Sequence, residues 1–357
     1  IPWVLDVAAG MGIPCGMLWV QSCAVFSAYY HYYHALADFP DAARPELTVT
    51  LPGVPALRPY EVPSFLLPGN PYPSLTVSIL GQFENLHKAR WVFVNTFEEL
   101  ERDAIAAVSE LSPVIPVGPL VEPPPSKEGE DVHSDLWKAA DCIGWLDAQE
   151  PRSVVYASVG SVVVLRREEM VEMAEGLKAS GRPFLWVVRE VSREMLPEGF
   201  EEETKGKGMV VDWSPQDRVL AHPSTACFLT HCGWNSTLEC LTSGVPVIAF
   251  PQWGDQVTDA KFLVEVYEVG VHLRPQPPLP AREEGPSFTR GDVERCIEEL
   301  TEGQRAMAMR ANATRWREAA KVATAEGGSS DRSILAFLEE LWLQQPYLPS
   351  VVEDNSA

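Results

Sequence analysis

The hydrophobic pattern of the chain alternates between short apolar runs and longer stretches with helical spacing. The runs GMLWVQS and WVFVNTF predict buried strands, and FEELERDAIAAVSEL predicts an amphipathic helix that leads to a further strand in PVIPVGPL. Later in the chain, VVYAS, PFLWVVR, TACFLTH and VPVIAF predict strands, separated by helical patterns such as RREEMVEMAEGLKASG. Strands that alternate with helices in this way predict an α/β fold with parallel sheets.

Two stretches of different composition divide this pattern. Residues 40–75 are rich in proline and predict a long ordered loop, whereas 119–135 combines proline with acidic residues and predicts an exposed linker. We therefore expect a first domain at 1–118, a linker at 119–140, a second domain at 141–345 and a tail at 346–357. The first domain is much the shorter, and the chain opens within the strand-like run IPWVLDVA, so we expect this domain to be incomplete at its N-terminus.

Charge and cysteine content narrow the class of protein. The net charge of −22 and the pI near 4.7 argue against nucleic acid or an anionic membrane as a partner, so a bound phosphate would need local donors. The seven scattered cysteines lack metal-binding spacing and predict reduced thiols in a cytoplasmic protein. Residues 7–37 carry no formal charge, but glycine and proline interrupt them, so we expect no membrane span.

The segment THCGWNSTLEC, residues 230–240, predicts a strand, a turn and a helix start. His231 would lie at the carboxyl end of the strand, which is the ligand side of a parallel sheet, and Gly233 would permit close approach of a ligand. Asn235 and Ser236 would occupy the helix N-terminus, where free N–H groups and the helix dipole favour an anion such as a diphosphate. Alternatively, Ser236 and Glu239 form a capping box, which needs no ligand.

A longer segment around this motif gives the chain a family resemblance. Residues 213–256, WSPQDRVLAHPSTACFLTHCGWNSTLECLTSGVPVIAFPQWGDQ, resemble the nucleotide-sugar signature of the plant family-1 UDP-dependent glycosyltransferases. VVYASVGS before this segment and GGSSDRSILAFLEEL after it are similar to further parts of the same family. The resemblance implies the GT-B fold, in which two Rossmann-like domains with parallel sheets face each other across a cleft, here with the first domain incomplete.

The resemblance also implies which residues hold the uridine half of the donor. Trp213 would stack on the uracil ring, and Ser214 would contact the edge of the ring through its backbone. Gln216 and Glu239 would bind the ribose hydroxyls.

The diphosphate and the sugar would lie further along the same segment. By resemblance, His231, Asn235 and Ser236 would hold the diphosphate, assisted by the turn at Ser161. Trp234 would press on the sugar and fix its orientation. His231 and the helix N-terminus would then stabilise the charge that develops on the departing UDP.

The last two residues of the signature indicate which sugar the donor carries. Asp255 and Gln256 would bind the sugar hydroxyls, and glutamine at the last position is associated with glucose, where histidine is associated with galactose. We therefore expect UDP-glucose as the donor. The sequence contains no DxD motif, so we expect no metal ion and no other cofactor.

In the family, a histidine near the start of the first domain deprotonates the acceptor, and the chain as given does not include that segment. We therefore name no catalytic residue here. His31 and His34 are expected in the core or in the acceptor pocket, and Asp6 is expected to be structural. Gln21 and Ser22 follow the end of a strand and are candidates to face the acceptor.

Residues 1–34 and the segment FPQWGDQVTDAKFL, residues 250–263, are most similar to the group of the family that makes glucose esters of aromatic acids. The predicted reaction is an inverting transfer of glucose from UDP-glucose to a small aromatic carboxylic acid, such as a hydroxycinnamate or a benzoate. A carboxylic acid with a pKa of about 4 is already ionised at neutral pH and needs little base assistance, unlike a phenol with a pKa of about 10.

Three alternatives remain open: a flavonoid or phenol O-glucosyltransferase, a hydrolysing UDP-sugar epimerase, and a UDP-sugar binder without catalysis. The expected partners are the donor and a small aromatic acceptor, and we expect a monomer.

Overall fold

The computed structural model describes residues 3–121, 142–274 and 286–343. The elements before residue 122 are, in chain order, α1 (Trp3–Gly10), β1 (Gly16–Trp19), α2 (Cys23–Tyr33), β2 (Val49–Leu51), β3 (Val54–Leu57), α3 (Pro73–Leu80), β4 (Trp91–Val94), α4 (Glu98–Ser109) and β5 (Val114–Pro116). Almost all of the predicted linker, 119–140, and all of the predicted tail, 346–357, lie outside the described residues.

The chain then continues through a longer series of alternating strands and helices. These are α5 (Cys142–Asp147), β6 (Val154–Ser158), α6 (Arg167–Ala179), β7 (Phe184–Val187), α7 (Glu190–Arg193), α8 (Phe200–Glu203), β8 (Gly208–Val211), α9 (Gln216–Ala221), β9 (Thr225–Thr230), α10 (Trp234–Ser243), β10 (Val247–Ala249), α11 (Gln256–Lys261), β11 (Gly270–His272), α12 (Arg290–Thr301), α13 (Gly303–Thr324) and α14 (Ser329–Leu343). A π-helical turn, Phe262–Val266, follows α11 directly.

The first half of the chain contains a small parallel sheet in the order β1-β4-β5. Its register pairs Trp19 with Val94, so β1 and β4 end side by side at the same edge of the sheet. The helices α2 and α4 pack against each other beside this sheet, and the first turn of α2 is buried. The residues that follow β1 therefore lie beside the residues that follow β4.

The second half contains a six-stranded sheet in the order β11-β10-β9-β6-β7-β8, in which every described pair is parallel. Counted from β6, this is the 3-2-1-4-5-6 order of doubly wound nucleotide-binding sheets. The central strands β6 and β9 are buried along their whole length, which explains why their sequences are almost continuously apolar. The chain reverses direction across the sheet between these two strands, and ligands of such sheets bind at the carboxyl ends of the strands there.

The opening run of the chain is a helix, so the expectation of a strand is wrong. Residues Trp3–Gly10 form α1, in which Leu5 is buried and Asp6 pairs with Lys88. A helix satisfies its own backbone hydrogen bonds, whereas a strand here would need a neighbour to pair with. A short apolar run cannot distinguish the two possibilities. Asp6 has the structural role that its sequence position predicts.

The last helix of the chain returns to the first half of the protein. Phe337 of α14 packs its ring edge-to-face against Trp91 and Phe93 of β4, and Glu340 binds Arg90 and the indole N–H of Trp91. The sequence assigns this helix to the second domain, but the contacts place it on the first sheet.

The proline-rich stretch 40–75, predicted as a long ordered loop, contains the β2–β3 hairpin and short 3₁₀ turns. It contacts the second half near residue 254, where the amide N–H of Ser64 donates to the carbonyl of Gly254 and the amide N–H of Gly254 donates to Ser64 Oγ. Two mutual bonds hold the stretch beside the end of the signature segment. Within the described parts of the chain, no helix combines the length and the apolar content that crossing a membrane requires.

Candidate functional site

A pocket with a volume of about 230 Å³ opens between the two halves of the protein. Residues from the turn after β1 form one wall, and residues from the start of α10 and the end of the signature form the other. The lining residues are Val20, Gln21, His231, Gly233, Trp234, Asn235, Ser236 and Asp255. The carboxyl ends of both parallel sheets therefore meet at one concave surface, where six of the sequence-predicted residues lie together.

His231 stands at the end of β9 between two glycines. A Cβ atom built on Gly160 would lie 2.8 Å from His231 Nε2, and one built on Gly233 would lie 2.6 Å from the same atom. Burial lowers the pKa of His231 to about 4, so the ring is neutral at neutral pH and carries one N–H donor. Among the described residues, Nδ1 has no hydrogen-bond partner. A neutral imidazole of this kind can donate to a phosphate oxygen without contributing a positive charge.

Helix α10 begins at Trp234, with Gly233 as the N-cap residue and no side chain capping the first turn. The capping-box alternative is therefore wrong, because Ser236 already lies inside the helix and Glu239 does not reach back to the cap. Glu239 instead accepts a hydrogen bond from the Gln216 amide. The residues of the first turn, Trp234, the exposed Asn235 and Ser236, line the pocket, and such a helix start favours an anion.

A hydrogen-bonded chain links the residues predicted for the uridine. The Tyr156 hydroxyl lies 3.0 Å from Ser214 Oγ and 3.2 Å from Gln216 Oε1, and Gln216 Nε2 donates to Ser236 Oγ at 2.7 Å. Burial raises the pKa of Glu239, the further partner of Gln216. Trp213, the residue before Ser214, has 45% of its surface exposed. The structure thus links Ser214, Gln216 and Glu239 through hydrogen bonds and leaves the neighbouring Trp213 partly exposed.

Two other predicted residues have contacts that differ from those the resemblance implies. Trp234 is buried, and its indole N–H donates to the carbonyl of Asn95 at 2.7 Å, which joins α10 to the segment after β4. Ser161 is exposed beside Gly160, and its carbonyl accepts a bond from Arg189. Trp234 lines the pocket as well as joining the two halves, whereas Ser161 lies beyond the lining.

The end of the signature supplies the remaining wall. Asp255 lines the pocket, and burial raises the pKa of its carboxyl to about 6. Gln256 Oε1 accepts from the backbone N–H groups of Gln252 at 3.0 Å and Trp253 at 3.4 Å, so in this structure the side chain closes its own turn. A ligand that used the Gln256 carboxamide oxygen would compete with these bonds, whereas the amide N–H groups have no partner among the described residues.

The two acceptor candidates differ in position. Gln21 lines the pocket and hydrogen-bonds the Asp255 carboxyl. Ser22 is buried, caps α2 by accepting from the N–H of Val25, and donates to Asp259 Oδ1 at 2.9 Å. Gln21 therefore faces the pocket, whereas Ser22 does not. Of the two expected aromatic-helix histidines, His31 is buried and bonds the carbonyl of Ser27, whereas His34 is exposed.

Three residues near the site were not predicted from the sequence: Tyr156, Gly160 and Asp259. Tyr156 lies inside an apolar strand, where a polar tip is a detectable signal because a buried hydroxyl needs a partner. Asp259 lies in α11, whose sequence QVTDAK is mostly polar, so its burial gives no such signal in the sequence. Within 3–121, 142–274 and 286–343, no group of His, Cys, Asp or Glu side chains is arranged to hold a metal ion.

Fold and site together define an α/β protein with a pocket between a small parallel sheet and a doubly wound one. Residues 132–274 match the model of the family described as UDP-glucoronosyl and UDP-glucosyl transferase. The chain belongs to this family of UDP-dependent glycosyltransferases, and its predicted membership and GT-B fold are confirmed.

Similar proteins come from several plants. A gallate 1-beta-glucosyltransferase of Punica granatum is 51% identical over 96% of this chain and 66% of its own length. The gallate 1-beta-glucosyltransferase of Quercus robur is also 51% identical, over 67% of its length, and the cinnamate beta-D-glucosyltransferase of Fragaria ananassa is 49% identical over 61% of its length. The chain thus spans about two thirds of the length of these relatives.

A solved structure supports the same assignment. Os79 from O. sativa, crystallised in complex with UDP, superposes with a TM-score of 0.81 at 36% identity. The match covers 95% of this chain and 75% of the Os79 chain. The expected similarity to the group that forms glucose esters is also confirmed, because gallate and cinnamate glucosyltransferases are among the relatives.

Proposed function

We propose that the protein transfers glucose from UDP-glucose to a small aromatic carboxylic acid and forms a 1-O-acyl glucose ester. The observation that carries this proposal is the pocket between the two halves, in which His231 and the uncapped start of α10 face a cavity that Gln21 closes from the other side. The names of the relatives support an aromatic acid as the acceptor.

In the proposed reaction a carboxylate oxygen of the acceptor attacks C1 of glucose from the face opposite UDP. The bond between C1 and the diphosphate oxygen breaks, and the electron pair leaves with UDP. The N–H donors at the start of α10 and the neutral imidazole of His231 stabilise the negative charge that grows on the leaving group. The acceptor arrives already ionised, so the step requires no proton transfer from the acid.

We also propose which residues contact the uridine, the diphosphate and the glucose. Uridine lies along the Trp213, Ser214, Gln216 and Glu239 side of the site, and the diphosphate lies at His231, Asn235 and Ser236, with support from the turn at Ser161. Trp234, Asp255 and Gln256 contact the glucose. The protein acts as a cytoplasmic monomer in plant secondary metabolism without a metal ion, and its domains are those drawn from the sequence, except that the last helix, α14, packs on the first sheet.

A product assay tests the proposal. The full-length protein is incubated with UDP-glucose and, in separate reactions, with gallate, cinnamate, benzoate or quercetin, and the products are treated with mild alkali. We expect an alkali-labile conjugate with the three acids and a slower or absent reaction with the flavonoid. His231→Ala should weaken UDP-glucose binding by about tenfold or more, because a charge-assisted hydrogen bond contributes about 1.5–3 kcal/mol.

Other results would change the assignment. An alkali-stable product with quercetin alone would indicate a phenol glucosyltransferase. Saturable UDP-glucose binding with no product would indicate a binder. Release of free UDP and a sugar product with no acceptor present would indicate a hydrolysing enzyme.

A further inference from the structure

Two acidic residues lie one helical turn apart behind the sugar end of the pocket. Asp255 precedes α11 and lines the pocket, whereas Asp259 lies inside α11 and is only 1% exposed. Residues four positions apart on a helix are neighbours, so the two carboxyl groups lie side by side. Two carboxyl groups that share a buried site do not both ionise, so one of the pair is expected to keep a proton.

The surroundings give the pair no positive charge. No Lys or Arg of the described residues forms an ion pair with either carboxyl, and the nearby Lys261 pairs with Glu61 and Glu265 instead. The titratable groups near the pair on the packed elements are neutral or acidic: Tyr29 on α2, Glu101 on α4, Cys232 before α10, Tyr267 after the π-helical turn, and His231 in the pocket. Burial raises the pKa of Asp259 well above its usual value, and the charge of Asp255 adds to that effect.

Hydrogen-bond donors from the first half of the protein fix the orientation of the pair. The Ser22 hydroxyl donates to Asp259 Oδ1 at 2.9 Å, and the Gln21 amide bonds Asp255. Within the described parts of the chain, no N–H or O–H group reaches Asp259 Oδ2. A proton on Asp259 Oδ2 explains why this buried oxygen accepts no hydrogen bond. The single negative charge of the pair then lies on Asp255, which faces the pocket.

We propose that Asp255 and Asp259 share one proton, and that Asp259 is the positioning residue that holds the Asp255 carboxylate toward the sugar half of the pocket. The inference rests on the proposed function for the identity of the ligand. The protonated Asp259 donates to one oxygen of Asp255, and the other oxygen accepts from a sugar hydroxyl. Asp259 touches no substrate and acts through its neighbour.

The first test compares Asp259→Asn with Asp259→Leu in the full-length protein. Asparagine keeps a neutral group with one acceptor and one donor, so we expect UDP-glucose affinity within about threefold of the unmodified protein. Leucine has a similar volume but no donor, and we expect a loss on the order of tenfold, because a hydrogen bond to a charged group is removed. UDP, which lacks the sugar, should bind all three proteins equally. Calorimetric titrations with UDP and UDP-glucose measure both affinities.

The second test detects the proton itself without any ligand. Infrared spectra are recorded at pH 7, and the spectrum of Asp259→Asn is subtracted from that of the unmodified protein. The difference should show the carbonyl band of a protonated carboxylic acid that only the unmodified protein has. Asp103→Asn, which changes an exposed aspartate on α4, is the matched control and should keep the band. Circular dichroism and thermal unfolding establish that each variant is folded.

The possible failures are distinguishable. A missing acid band in the unmodified protein, or an asparagine variant as weak for UDP-glucose as the leucine variant, would overturn the shared proton. Equal losses of UDP and UDP-glucose affinity would make Asp259 a purely structural residue. If the unmodified protein bound neither nucleotide, the proposed function would fail, and the infrared band would still decide the protonation of the pair.

Discussion

At the scale of single residues, the site depends on two glycines beside His231, because neither carries a side chain. Gly160 has a φ of +78°, which glycine adopts without strain, and a side chain there would reach the imidazole. Gly233 has an ordinary N-cap conformation, with φ −63° and ψ 146°, so only the space it leaves explains the glycine. Both positions keep the volume around Nε2 free, and this nitrogen is the one that can face a phosphate.

Gly233→Ala tests this use of space without changing backbone strain. The new Cβ would lie 2.6 Å from His231 Nε2, so the ring must turn away from the pocket. We expect UDP affinity to fall on the order of tenfold, which corresponds to one charge-assisted hydrogen bond, while the thermal midpoint changes little. Gly81→Ala is the control, since nothing lies within 4 Å of its Cβ position. Calorimetry showing equal UDP affinity in both variants would separate Gly233 from the site.

At the scale of elements, the start of α10 joins the two halves as well as facing the pocket. The indole N–H of Trp234 donates to the carbonyl of Asn95, and Asn95 Oδ1 in turn accepts from the N–H of Leu120. The segment after β4 is therefore held to the helix that is proposed to bind the diphosphate. A shift of either half would move the pocket wall.

Trp234→Phe keeps an aromatic ring and removes this one donor. The Asn95 carbonyl would then lose its partner in a buried place, and we expect a loss in the free energy of unfolding of about 1–3 kcal/mol. The UDP-glucose affinity should fall along with it, because the pocket draws residues from both halves. Trp342→Phe, at an indole that is 72% exposed, should change neither quantity. A Trp234→Phe protein as stable as the parent in urea would show that the bond does not hold the two halves together.

Local sequence predicted the elements well and their contacts poorly. The alternation of apolar runs predicted the parallel sheets, and the signature predicted residues that do line the pocket, such as His231. Local patterns failed where the outcome depends on a distant partner: α1 was expected as a strand, and Ser236 with Glu239 was weighed as a capping box although Glu239 bonds Gln216. The pairing of Ser22 with Asp259 joins residues 237 positions apart, and no periodicity encodes such a contact.

At the scale of the whole molecule, the protein contains buried groups whose titrations oppose each other. Burial lowers the pKa of His231 to about 4, and it also lowers the pKa of His272. As the pH falls below about 6.5, these histidines become protonated in the unfolded chain but stay neutral in the folded protein. They therefore lower the free energy of unfolding in acid. Asp255 acts in the opposite sense, because its pKa is raised to about 6, and the stability it contributes is lost as pH rises through that range.

His231→Gln isolates one of these opposing contributions. At pH 7.5 both the folded and the unfolded histidine are neutral, whereas at pH 5.5 the unfolded one is mostly protonated and the folded one, with a pKa near 4, is not. We expect the variant to gain about 1 kcal/mol relative to the parent between these two pH values. The exposed His34→Gln serves as the control, and urea unfolding gives the free energies. Working at pH 5.5 keeps the protein clear of its pI near 4.7, where low net charge favours precipitation. A difference between variant and parent that stays constant over this range would mean that His231 titrates alike in the folded and unfolded states, and hence that water reaches the imidazole in the pocket.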